Sequence, residues 1–196
     1  MVGFKPVREF LELLREVDRN FREVQKKYPR EVCCRKGCTE CCLAPFDLSL
    51  VEALYMRKAF HDLARRERRE IERRLRKYEK DWQTRVPKPA TPFVLSTVRL
   101  RCPFLNHKGL CTVYEYRPVT CRLYGLPLEI EGETYVCPRS GFEPGKTYPT
   151  VLFSEVMRRL SEISEKILPR GGGLRVSLVG VIRGQFPGAH LFSELF

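Results

Sequence analysis

Apolar residues in the first thirty positions recur at alternating steps of four and three: Phe10, Leu14, Val17, Phe21, Val24 and Tyr28. That spacing puts them on one stripe of an amphipathic helix, expected over residues 6–28, with Pro6 tolerated in the first turn and Pro29 stopping it. Ser49-Leu50-Val51-Glu52 has the spacing of a capping box and opens a second helical stretch running to about Trp82. This stretch is long for a globular helix, so a break is expected near residues 61–65. Its later part carries an apolar stripe of Ile71, Leu75, Tyr78 and Trp82. Pro87, Pro89 and Pro92 then end it. A short strand is expected over Phe93–Leu100, and Leu126–Ile130 and Thr134–Val136 are expected to pair as a hairpin across Glu131-Gly132. A third helix, over 149–168, places Leu152, Val156, Leu160, Ile163 and Ile167 on one face, and Pro169 and Gly171-Gly172-Gly173 close it. The tail from Leu174 to Phe196 is apolar and glycine-interrupted, and its pattern does not separate strand from helix.

The fold class that follows is mainly α with minor β: helices around a central cysteine-rich site, with short irregular elements and one small hairpin. A chain of 196 residues suits a single domain over 1–196. Within it a cysteine core of about 33–140 is flanked by the helices at 6–28 and 149–168.

Nine cysteines shape the chemistry. Cys34, Cys38, Cys41 and Cys42 fall in the string Cys34-Arg35-Lys36-Gly37-Cys38-Thr39-Glu40-Cys41-Cys42; Cys102, Cys111, Cys121 and Cys137 follow at wider intervals, and Cys33 precedes them. Four thiols so close together are reactive as free nucleophiles and poor as core residues, whereas a metal ion or cluster deprotonates and fixes them. Disulfides would need an oxidising compartment. The N-terminus has no apolar run of signal-peptide length, and no stretch approaches the ~18 apolar residues of a membrane helix. A cytoplasmic protein with reduced thiols is therefore expected, with no membrane partner.

Spacing bears on how metal is held. Cys38-x2-Cys41 closes easily on one ion or on two corners of a cluster. Side chains of adjacent Cys41 and Cys42 tend to diverge, so the two serve different sites or one stands behind the other. All-sulfur ligation fits both zinc and an iron–sulfur cluster. The irregular spacing of the later cysteines favours an iron–sulfur cluster, of the 4Fe-4S kind, over a zinc ribbon. His107 is a candidate nitrogen ligand, though a lone loop histidine is more commonly ordinary surface. The three-cysteine spacing also matches radical S-adenosylmethionine enzymes, but the following residues lack the alternating strand–helix pattern of their barrel.

The formal charge of +12 raises nucleic acid as a partner. Residues 65–80 hold nine Arg or Lys against four Glu, a surplus of five. Glu70–Arg74 and Glu72–Arg76 have the acid-first i,i+4 spacing of a solvated, ion-paired helix, so nucleic acid is not the favoured reading. An unidentified protein partner stays open.

Three blocks carry a family resemblance: the nine-residue cysteine string, Cys102-Pro103-Phe104-Leu105, and Cys111-Thr112-Val113-Tyr114-Glu115-Tyr116-Arg117-Pro118-Val119-Thr120-Cys121-Arg122. Over residues 34–138 the chain resembles the YkgJ-type cysteine-cluster family, with one extra residue between the first two cysteines. The resemblance implies a zinc- or iron-chelating domain with eight metal-associated cysteines, here Cys34, Cys38, Cys41, Cys42, Cys102, Cys111, Cys121 and Cys137, leaving Cys33 spare. A related domain occurs in flagellin lysine methylases, but no nucleotide-binding glycine loop is visible here, so methyl transfer is not carried over. The expected function is metal binding, by an iron–sulfur cluster with a redox or protein-modification role. The alternative is a structural zinc module whose basic surface binds nucleic acid or an acidic protein. Arg117 and Arg122 are expected to donate either to cluster sulfides or an anion, or to loop carbonyls, and Tyr114 and Tyr116 to shield the site.

Overall fold

A computed structural model describes residues 4–89 and 97–196. Helix α1 spans Phe4–Lys27. Its stripe behaves as its spacing requires: Phe10, Leu14 and Val17 are buried, and Phe21, Val24 and Tyr28 pack against the same core. Lys26 and Lys27 sit in its last turn, where cations complement the helix dipole.

Strand β1, Asp47–Ser49, leads directly into helix α2, Leu50–Asp62. The capping box forms: the Ser49 backbone N–H donates to Glu52 Oε2 at 3.0 Å, and the Ser49 hydroxyl donates to the same oxygen at 2.7 Å. The break falls at Leu63 and Ala64, both extended, and helix α3 follows over Arg65–Arg85. Helix α2 is buried on two sides. Leu50, Val51 and Leu54 join α1 and helix α5 (Phe153–Ile167) in one core, while Ala53, Met56, Ala59 and Phe60 join α3 in another. A helix with apolar residues on two faces, and a Lys58–Asp62 ion pair left at the surface, is the central element of the fold for that reason.

Helix α3 packs by one stripe only. Ile71, Leu75 and Tyr78 are buried and Trp82 is half-buried. Glu70 lies between Arg66 at 3.6 Å and Arg74 at 3.9 Å, whereas the expected Glu72–Arg76 pair does not form among the described residues. Arg74 turns inward instead of to solvent, donating from Nε to Pro103 O at 2.7 Å. That bond returns the helical excursion to the second cysteine group.

The expected strand over Phe93–Leu100 falls largely outside the described residues, and 98–100 carry no strand. Helix α4 is a single turn, Val119–Leu123. Strands β2 (Leu128–Ile130) and β3 (Glu133–Tyr135) form the expected hairpin, with Glu131 and Gly132 both at positive φ, as a two-residue turn of the I′ kind requires. Strand β4, Val151–Leu152, adds in parallel to β2. The third long helix accordingly opens at Phe153, not at 149, and Leu152 lies on the strand, 54% exposed, instead of on the helix's buried face. Its other expected positions, Val156, Leu160, Ile163 and Ile167, are buried.

The tail resolves into both element types. Strand β5, Arg175–Ser177, pairs antiparallel with β1, and helix α6, Leu178–Arg183, ends on Gly184 at φ 69°. A short helix α7, Phe192–Leu195, closes the chain against α2. Among the described residues no helix is long and apolar enough to cross a membrane.

Glu52 does more than cap α2. Its second carboxylate oxygen, Oε1, accepts the Val119 N–H at 2.8 Å, so one buried side chain holds the starts of both α2 and α4. Removing it leaves three donors without their acceptor. Glu52→Ala is expected to cost about 3 kcal/mol in chemical denaturation, against less than about 0.5 kcal/mol for Glu72→Ala on the exposed face of α3. Equal costs would contradict this role.

Candidate metal centre

The first cysteine segment is a chain of tight turns. Cys38 N–H bonds Arg35 O at 2.9 Å around Gly37, whose φ of 88° suits glycine, and a 3₁₀ turn covers Glu40–Cys42. Gln25 on α1 steadies the segment by donating from Nε2 to Cys34 O at 3.0 Å. In the second segment, Asn106 organises the loop between Cys102 and Cys111. Its Oδ1 accepts the Lys108 and Leu110 N–H groups at 2.9 and 3.0 Å, and Thr112 N–H closes back on Phe104 O at 2.9 Å. Cys121 rides on α4, and Cys137 follows β3, with its carbonyl accepting Ser140 N–H at 2.8 Å and the Ser140 hydroxyl at 2.6 Å.

Two backbone hydrogen bonds join the segments. Leu100 N–H donates to Leu43 O and Cys102 N–H donates to Cys42 O, each at 2.8 Å. Farther round, Gly141 N–H bonds Glu31 O at 2.9 Å, bringing the region after Cys137 to the start of the first string. All nine cysteines are free thiols; Cys137 is buried, Cys33 is exposed and the other seven are half-buried.

The thiols perturb one another in a pattern that sorts them. Burial, then the closeness of Cys38, Cys137, Cys41 and Cys33, pushes Cys34 up to about 12. Cys137 is likewise raised by burial, with Glu40 and Cys38 adding to it. On the other side, burial and then Cys111 and Cys41 push Cys102 up to about 12. Cys121 is raised well above the usual thiol range by burial and by Cys41, Cys102 and Cys111. Burial also raises Cys111, against the pull of Arg117. The adjacent Cys42 thiol, and then the charge of Arg117, hold Cys41 down to about 7, while Cys41 drives Cys42 strongly upward. Cys41 is thus the hub, with Cys42, Cys102, Cys111 and Cys121 on one side and Cys34, Cys38 and Cys137 on the other.

Among the described residues no three Cys, His, Asp or Glu side chains converge as a finished coordination shell. What the fold supplies is eight soft donors in two adjoining groups, crowded enough that ionising them together is unfavourable without a cation. That donor chemistry fits zinc or iron. Cys33 is exposed, its thiol 3.6 Å from Arg30 O, and His107 is exposed on the Cys102–Cys111 loop.

Arg122 is nearly buried and spends its guanidinium on the scaffold: Nε to Arg117 O at 2.8 Å, Nη2 to Glu115 O at 2.6 Å and Nη1 to Asp18 Oδ2 at 2.5 Å on α1. Arg117 also takes a loop carbonyl, Tyr114 O at 2.8 Å, while its charge reaches Cys41, Cys111 and Cys121. Tyr114 is 54% exposed beneath that guanidinium, 3.5 Å away, and Tyr116 packs on Tyr55 instead, with ring centroids 4.7 Å apart. Glu40, buried beside the thiols, pairs with Arg99.

Sequence reasoning missed Gly125. A Cβ there would stand 2.3 Å from Cys34 Sγ and 3.3 Å from the Phe21 ring, so the backbone passes the thiol at a distance only glycine permits. Nothing in the local sequence links this glycine to residue 34.

The family model for the CxxCxxCC domain, described as "putative zinc- or iron-chelating domain", matches residues 33–138, more than half of the chain. The protein belongs to this family of cysteine-cluster metal-chelating domains. Neither the curated proteins nor the solved structures compared with the chain gave a match.

Gly125→Ala is expected to turn the Cys34 thiol away and to lower bound metal while leaving helix content intact. Circular dichroism and metal analysis on one sample check this. Unchanged metal content would show that the position of Cys34 is irrelevant to chelation.

Proposed function

We propose that Cys34, Cys38, Cys41, Cys42, Cys102, Cys111, Cys121 and Cys137 hold metal through their thiolates, and that the group is an iron–sulfur cluster, of the 4Fe-4S kind, with zinc as the alternative. The observation that carries this reading is the meeting of two cysteine segments, far apart in sequence and joined backbone to backbone, as free thiols. Cys41 and the four thiols whose charges it feels or perturbs, Cys42, Cys102, Cys111 and Cys121, supply enough sulfurs for the four thiolates that either a zinc ion or a cluster takes. Cluster ligation is favoured over a zinc ribbon because only Cys38–Cys41 has the ribbon's knuckle spacing. A bound cluster would supply electron transfer, which is the basis for a redox or protein-modification role in the cytoplasm. The protein's own part is to bury the sulfurs, aim them through the Asn106 and Gly37 turns, and set Arg117 beside three of them.

Anaerobic purification followed by metal analysis and a visible spectrum tests the assignment. Brown protein containing iron and acid-labile sulfide is the expected result; colourless protein with stoichiometric zinc would replace the cluster by zinc. Chelation under reducing conditions should lower the melting temperature by roughly 10 °C or more, because ligands from both segments close long loops. Ser at Cys38, Cys41, Cys111 or Cys121 should reduce bound metal, and Cys33→Ser should not.

Protons compete with metal at these sulfurs. Thiols pushed up to about 12 at Cys34 and Cys102 are protonated at neutral pH and must release their protons to bind. Raising the pH therefore favours the metal-bound state. Zinc affinity of the reduced, metal-free protein should climb steeply between about pH 6 and pH 8, with proton release seen by calorimetry in buffers of different ionisation enthalpy. A flat affinity across that range would rule out ligation by these thiols.

A further inference from the structure

A different cluster of charged side chains lies where the end of α2 meets the start of α3 and the end of α6. A cavity of about 350 Å³ there has Arg57 and His61 of α2 on one wall and Arg65, Arg68 and Arg69 of α3 on another. The spacing explains the convergence: 57 and 61 are one turn apart on α2, and 65, 68 and 69 share one face of α3. One acid, Glu72, also lines the cavity, so four guanidiniums against one carboxylate leave a surplus of three positive charges.

Little in the protein offsets that charge. Among the described residues Arg65, Arg68 and Arg69 have no acidic partner and no side-chain hydrogen bond, whereas Arg66, outside the cavity, has Glu70. Arg57 donates from Nη1 to Val181 O at 2.9 Å, but its Nε is buried without a partner. Burial, then the charges of Arg57 and Arg68, hold the His61 imidazole below its usual range, against the opposing pull of Asp62. Helix α3 adds to the same sign. Its N-cap, Ala64, offers no side-chain acceptor, and Arg65, Arg66 and Arg68 outnumber Glu67, the acid of the first turn, at the positive end of the helix dipole, where acids are normally preferred. Arg65 and Arg69 reach solvent and Arg57 and Arg68 are half-buried, so an anion entering the recess meets guanidiniums that no acid already holds.

We infer that this cavity binds a phosphate-type anion: the phosphate or pyrophosphate of a small phosphorylated ligand, gripped by the paired donors of Arg65, Arg68 and Arg69. Its size is at the lower end of the range for small-molecule sites, and Phe60 and Ile182 in its walls offer contact to an organic portion. A nucleic-acid backbone fits less well. The charge is gathered in a recess, and along the rest of α3 Glu67, Glu70, Glu72 and Glu79 interrupt any continuous basic track.

The test titrates pyrophosphate into the metal-loaded 196-residue protein by calorimetry and follows the histidine ring resonances by NMR. The chain has three histidines, so His61, His107 and His190 can be assigned by single substitution. One-to-one binding is expected, with a clear shift of His61 and none of His107. Arg68→Glu with Arg69→Glu should weaken binding by at least about tenfold while helix content and bound metal stay as in the parent; Arg68→Lys with Arg69→Lys should retain part of it. Inorganic phosphate and a nucleoside monophosphate should compete, and an oligoribonucleotide with no terminal phosphate should not. No saturation by about 10 mM pyrophosphate would overturn the proposal. So would undiminished binding by the Glu variant, or oligonucleotide binding that pyrophosphate does not displace.

Discussion

Two backbone hydrogen bonds, Leu100 to Leu43 and Cys102 to Cys42, are the contact on which the cysteine region depends. They set the second group of thiols against the first across a long helical detour. Side-chain attraction would not do this, since crowded thiols gain nothing from one another until a cation arrives. The meeting is enforced by backbone pairing and by the way α3 returns, with Arg74 on the Pro103 carbonyl and Tyr78 buried near Cys102. Glu52 fixes the remaining member by holding α4, and so Cys121, to the start of α2.

Around that contact, the protein's charged groups divide into two kinds. Arg122, Glu52 and Arg74 are committed to backbone groups or to a single acid, which makes them parts of the scaffold. The eight thiols, and Arg65, Arg68 and Arg69 at the cavity at the end of α2, have no such partner among the described residues. Crowding like groups without partners is costly. An oppositely charged guest would offset it in both proposed sites: a metal cation among incipient thiolates, an anion among guanidiniums.

Local patterns determined a good deal. Periodicity placed α1 and the buried faces of α3 and α5, because a helix face is fixed by spacing within a few residues. The Ser49–Glu52 capping box, the break at residues 63–64 and the Glu131-Gly132 turn are likewise short-range. The three cysteine blocks together carried the family membership. The start of α5 was misplaced because Pro149 is a valid opening signal locally, whereas pairing of Val151 and Leu152 with β2 keeps those residues extended.

Everything that joined distant residues was decided by tertiary structure. The tail could not be divided into β5 and α6 from its own pattern, since its strand exists only against β1. Cys41 and Cys42 meet Cys102 only because the backbone of the first segment pairs with that of the second. Gly125 matters only because the fold passes its backbone against Cys34, and Arg57 joins the α3 arginines only because a two-residue break folds α3 back beside α2. Sequence spacing encodes which face a residue occupies within one element, since that depends on bond geometry alone. Which faces meet depends on how the whole chain buries its apolar surface, and no local window contains that information.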